Sequence, residues 1–254
     1  MKKGIKELER LISIVKELRE KCPWDKKQTT ESLRTLTIEE VYELSEAITN
    51  RNNKNIEEEL GDLLLHVLFY AQMGSEKKIF NLESICKKIS KKLIERHPHI
   101  YGTKKVKTAE EVKENWESIK LKEGKKSVLE GVPKSLPALV KANRIQEKVA
   151  GVGFDWEHPE QVFEKLKEEL AELQHEVKQN DMDKMESEFG DVLFSMVNYA
   201  RFLKINPENA LERTNKKFIK RFQYLEQKAK EAGKTMSDMT LAEMDVFWEE
   251  AKQL

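Results

Sequence analysis

Two cysteines in 254 residues, far apart and in no ligand-like spacing, exclude a disulfide framework and a zinc site and leave a reducing compartment as the default. Cys22 and Cys86 read as packing residues rather than nucleophiles. Proline and glycine are almost as scarce, at 6 and 10, so long stretches run without a helix breaker, and strand-type alternation is hard to find. No charge of one sign dominates: 46 basic residues balance 46 acidic ones, which gives no global reason to expect nucleic acid or an anionic membrane as partner. Nothing approaches a membrane span, and the apolar LISIV within the first helical stretch is too short for a signal peptide, so a cytoplasmic protein is expected. What the chain does have is Glu, Lys and Leu, with 36% of its residues charged. That composition predicts an all-α fold.

The chain also has a long internal repeat. Leu36 to Ile48 (LTIEEVYELSEAI) matches the segment beginning at Lys165-Leu166, so that Glu39, Glu40 and Glu43 precede Glu168, Glu169 and Glu172 by 129 positions. The same 129 separates ELGDLLLHVLFYA, from Glu59, and EFGDVLFSMVNYA, from Glu188. Lys92 and Arg96 precede Lys217 and Arg221 by 125, and Trp116 with Lys120 precedes Trp248 with Lys252 by 132, small shifts that mark loops of different length. Two tandem helical domains are therefore expected, at residues 1–122 and 138–254, joined by a Gly- and Pro-broken linker at 123–137. Within each, polar turns at Asn50–Asn53 and Gln179–Asp181 predict a helical hairpin. Trp24 and Trp156 read as structural aromatics in the loop before it.

Residues three apart share a helical face, so Glu169 with Glu172, and Glu188 with Asp191, would converge if the hairpin packs antiparallel. The first copy places Glu40, Glu43, Glu59 and Asp62 alike. Clustered carboxylates need a counter-charge, and an all-oxygen set suits Mg²⁺, or Mn²⁺, rather than Zn²⁺. Mg²⁺ shares its coordination shell with substrate phosphates, which points to phosphate chemistry. A solvated acidic face is the bland alternative. Against it, the helix following each ExxD is apolar nearly all round, which predicts burial, and Gly61 or Gly190 beside the Asp predicts close backbone approach.

EExxE, ExxD, KxxxR and a late Trp, in that order and twice over, resemble the MazG nucleotide pyrophosphohydrolases, over essentially the whole chain. The resemblance implies an all-α fold whose helix bundles are completed by dimerisation, hence a homodimer. It implies hydrolysis of a nucleoside triphosphate to the monophosphate and pyrophosphate. Glu168, Glu169 and Glu172 would be catalytic, and Glu169, Glu172, Glu188 and Asp191 would bind Mg²⁺. Lys165, Lys184, Lys217 and Arg221 would hold the triphosphate, and Trp248 would contact the nucleotide.

The copies differ where these cations stand. Leu36 occupies the position of Lys165 and Asn55 that of Lys184, so the second copy is expected to catalyse and the first to bind metal or nucleotide weakly. Two rivals remain open. A ferritin-like di-metal protein needs two inward Glu-x-x-His pairs, of which only Glu172 with His175 is present; a non-catalytic helical scaffold needs none. His66 reads as a buried histidine with its hydrogen bonds satisfied, and His97 to Gly102 as a turn.

Overall fold

The computed structural model describes residues 2–108, 111, 112, 115, 116, 119 and 127–253, and among them there is no strand. Lys120 and residues 123–126 of the expected linker lie outside this set. The chain divides into two compact units, Met1–Lys107 and Thr108–Leu254. Trp116, which the repeat assigns to the first copy, falls beyond that division.

The first unit runs α1 (Lys2–Lys21), α2 (Thr30–Thr49), α3 (Asn53–Glu76), α4 (Leu82–Arg96) and the single turn α5 (Pro98–Tyr101). Helix α2 starts at a reciprocal cap, the Thr29 hydroxyl accepting from the Ser32 amide while Ser32 accepts from the Thr29 amide. Its hairpin to α3 turns on Arg51 in the left-handed region, φ 54°, after which Asn52 caps α3 by accepting from the Asn55 amide. Val15 of α1, Leu33 of α2 and Leu68, Phe69 and Met73 of α3 form the buried core. Each such side chain contributes about 1.5–3 kcal/mol through the apolar surface it removes from water.

The second unit repeats this plan with α6 (Ala138–Ala150), α7 (Pro159–Gln179), α8 (Met182–Phe202), α9 (Pro207–Glu231) and α10 (Leu241–Ala251). Pro159 occupies the first turn of α7, where its missing N–H costs nothing, and Gln161 accepts from the amides of Glu157 and His158. The hairpin between α7 and α8 turns on Asn180, φ 59°, with Asp181 capping α8, at the positions matching Arg51 and Asn52. Val162 and Leu166 of α7, Val192 and Val197 of α8, and Leu225 and Ala229 of α9 are buried.

Two expectations need correction. The helices carrying ExxD are not buried all round: Leu60, Leu64 and Val67 on α3 are exposed, as are Phe189, Leu193 and Met196 on α8. Nothing approaches Gly61 or Gly190, since a Cβ on either would meet no atom within 4 Å. Trp24 and Trp156, expected as structural aromatics, are 59% and 44% exposed. No helix among the described residues is long and apolar enough to cross a membrane.

Candidate active site

Antiparallel packing of α7 on α8 turns two i, i+3 spacings into one three-dimensional group. Carboxylate oxygens of Glu169, Glu172 and Glu188 all lie within 4.8 Å of one another, as do those of Glu40, Glu43 and Glu59 at the matching place between α2 and α3. Asp191 and Asp62, one turn further along, stand outside these groups. Asp62 is nonetheless close enough for its charge to act on Glu40 and Glu59. His175 is exposed and takes no part, which removes the one motif favouring a di-metal centre of the ferritin-like kind.

The electrostatics are those of crowded anions. Burial pushes the Glu40 carboxyl up, with the charges of Asp62, Glu43 and Glu39 adding to it, while a hydrogen bond with Glu59 works the other way. Glu59 is raised likewise, by burial and then by Glu43 and Glu40. In the second unit Glu172 is raised by burial and by Glu169, but Lys165 opposes the shift. The Lys165 ammonium lies 2.8 Å from Glu168 and 3.0 Å from Glu169, and these hydrogen bonds hold it well above the ordinary lysine range. Glu169 itself is only 7% exposed. A buried carboxylate with one cationic neighbour among three acids fits an all-oxygen divalent cation site.

The remaining cations are placed less simply. Lys184 is exposed, with its ammonium 3.8 Å from Glu176 and 3.6 Å from Asp181 at the hairpin end. Sequence reasoning overlooked Glu176, although it follows Glu169 by seven and Glu172 by four and so shares their face. One of its oxygens is buried without a hydrogen bond. Lys217 and Arg221 lie one helical turn apart on α9, outside the carboxylate group, and Trp248 on α10 contacts Phe218 beside them. In the first unit His66 is buried as expected, but its Nδ1 has no partner, and burial lowers its pKa against the pull of Asp62.

With this geometry in view, the model of the MazG nucleotide pyrophosphohydrolase domain matches residues 28–101 and again 157–225. The chain belongs to the MazG family. Each match spans one hairpin and the helix after it, so both copies are MazG domains. A nucleoside triphosphate pyrophosphohydrolase/pyrophosphatase MazG of Thermotoga maritima is 44% identical over 96% of this chain and 95% of its own. A nucleoside triphosphate pyrophosphohydrolase of Escherichia coli K12 is 40% identical over 97% of each. The crystal structure of a MazG-related protein from Thermotoga maritima, 32% identical, covers 44% of this chain and 98% of its own with a TM-score of 0.40.

Proposed function

We propose that this MazG protein hydrolyses nucleoside triphosphates, ribo- or deoxyribo-, to the monophosphate and pyrophosphate, and that the second unit does the chemistry. The observation that carries this reading is Lys165 folded against Glu168 and Glu169 beside three convergent carboxylates, an arrangement for which the first unit has only the carboxylates. The nucleoside triphosphate pyrophosphohydrolase names of the Thermotoga and Escherichia relatives support it. The catalytic domain is taken as residues 138–254 and the linker as 123–137. The unpaired Cys22 and Cys86 fit a cytoplasmic setting.

Glu169, Glu172, Glu188 and Asp191 would hold Mg²⁺, with Mn²⁺ an acceptable substitute, and Glu40, Glu43, Glu59 and Asp62 would hold a second ion in the first unit. A divalent cation there supplies Lewis acidity and neutralises triphosphate charge. Water attacks the α-phosphorus, the bond to the bridging oxygen of pyrophosphate breaks, and Glu168, Glu169 and Glu172 are the carboxylates available to take up the proton. Lys165, Lys184, Lys217 and Arg221 bind phosphate oxygens and stabilise charge on departing pyrophosphate. Lys184 must first leave Glu176 and Asp181. Trp248 offers a flat face to the base.

The exposed stripes at Leu60, Leu64 and Val67 and at Phe189, Leu193 and Met196 repeat at the same 129-residue offset, each one helical face. Apolar stripes of this kind support a homodimer in which a second copy completes the bundles.

Hydrolysis of a nucleotide panel in ¹⁸O-labelled water, with pyrophosphate detection, tests the reaction. Label must appear in the monophosphate and not in pyrophosphate. Label in pyrophosphate would mean attack at the β-phosphorus, and no pyrophosphate from any nucleotide would sink the reading.

A further inference from the structure

Helix α10 is tied to α9 and to the turn that follows α9. Tyr224 donates to Glu250 at 3.2 Å, Lys234 pairs with Glu243, and Phe218 meets Trp248 with ring centroids 5.0 Å apart and planes tilted by 56°. Behind Phe218 stands Phe222, nearly parallel at 8° and 6.2 Å away, so three rings form a ladder ending at the indole. The tilted contact is the preferred geometry for aromatic pairs and fixes the plane of the outer ring. Phe218 also sits between Lys217 and Arg221 in sequence. One stretch of α9 therefore sets both the basic pair and the orientation of Trp248.

The first copy lacks this ladder. It keeps the basic pair as Lys92 and Arg96, but Leu93 stands where the second copy has Phe218 and His97 where it has Phe222. A leucine can touch an indole but does not select one plane for it.

We propose that Phe218 is a positioning residue for recognition of the nucleoside: it holds Trp248 in the orientation that stacks the base, so the base meets an already ordered ring. This rests on the reading of Trp248 as a nucleotide contact. Phe218 acts through Trp248, not on the phosphates. Immobilising a free side chain on binding has a real entropic cost, and relieving it in advance corresponds to about a five- to tenfold difference in KM.

The test uses the full chain with Mg²⁺ and compares Phe218→Leu, Phe218→Tyr, Trp248→Ala and the Phe218→Leu/Trp248→Ala double variant. Phe218 is more than half exposed, so Phe218→Leu is expected to fold, which its melting curve checks. KM and kcat are measured for a nucleoside triphosphate, together with inhibition by inorganic tripolyphosphate, which has no base. Phe218→Leu should raise KM about five- to tenfold with kcat within about twofold, and leave tripolyphosphate inhibition unchanged. Phe218→Tyr should restore KM, and the double variant should be no worse than Trp248→Ala alone. The proposal is overturned if Phe218→Leu leaves KM unchanged, weakens tripolyphosphate equally, or adds in full to Trp248→Ala. If Trp248→Ala itself leaves KM unchanged, the reading of Trp248 as a nucleotide contact falls and this proposal falls with it; hydrolysis by the wild type is scored separately in the same assay.

Discussion

The first unit keeps the convergent carboxylates of the second and loses the cations nearest to them. Glu40, Glu43 and Glu59 converge within the same 4.8 Å as Glu169, Glu172 and Glu188, yet Leu36 and Asn55 replace Lys165 and Lys184. The carboxylate geometry follows from helical spacing and from a hairpin that both copies build with a left-handed residue and a polar cap. It persists as long as the hairpin does. The cations are single side chains on exposed or half-exposed positions, free to change without disturbing the fold. Metal-site geometry and substrate charge are thus separable properties of the same hairpin, and the two copies differ in the second.

The sharpest way to break this comparison is to remove one acid from each copy. Glu172→Ala should lower pyrophosphate release by more than about 100-fold, because a metal-holding group is lost, whereas Glu43→Ala should leave most activity. Equal losses would make the copies equivalent. Next in size, Lys165→Ala should lower kcat/KM by about 10- to 100-fold, since a charge-assisted contact to phosphate disappears. Its counterpart, Leu36→Lys in a Glu172→Ala background, should give the first unit measurable Mg²⁺-dependent nucleotide binding by calorimetry. No gain would show that more than this cation separates the copies.

A stability comparison comes third. Arg201 donates two hydrogen bonds to the Asp155 carboxylate and is steadied by Asn198, while Arg19 donates to Glu76 and to the carbonyls of Asp25 and Gln28. Arg201→Ala or Arg19→Ala should each lower unfolding free energy by about 1–2 kcal/mol, discounted for partial exposure, and each in its own unit alone. Urea unfolding followed by hydrogen exchange of each unit decides it. A loss shared by both units would show that they unfold together.

The smallest effect is a proton count. Glu40, Glu59 and Glu172 all titrate above their ordinary value of 4.5. In the metal-free protein the stability these groups contribute is present below that value and is lost as pH rises through their raised folded values. Binding a cation requires the ionised form, so Mg²⁺ added at about pH 6 should release protons in weak buffer. Glu172→Gln should reduce the release, and Glu40→Gln should reduce it further because the first unit lacks the opposing Lys165. No release at all would contradict the raised carboxyls.

Much of this is legible in the sequence itself. The 129-residue offset, the i, i+3 spacings and the polar turns are local features, and the hairpins, caps and carboxylate groups follow from them. What escaped depends on contacts across the chain or beyond it. Phe218 and Trp248 are 30 residues apart, and no local pattern pairs them. In the sequence Glu176 is one more acid on an acidic helix, and only the fold brings Lys184 beside it. By sequence the stripes at Leu64 and Leu193 read as core, because apolarity reports that a surface is to be covered, not which molecule covers it. The same limit made Gly61 and Gly190 look crowded when the space beside them is open.

The arginines that secure the Trp-bearing loops have a further consequence. In the first unit the anchor comes from α1, which precedes the loop; in the second it comes from α8, the second arm of the hairpin that follows the loop, and the position of α3 matching Arg201 is Gln72. A chimera exchanging only α3 and α8 would give one unit two anchors and leave the other with none, its Asp155 without a guanidinium. Although they arose on one plan, the halves are no longer spare parts for one another, and crossing over between them would yield a chain that keeps its carboxylates but lets one loop go slack.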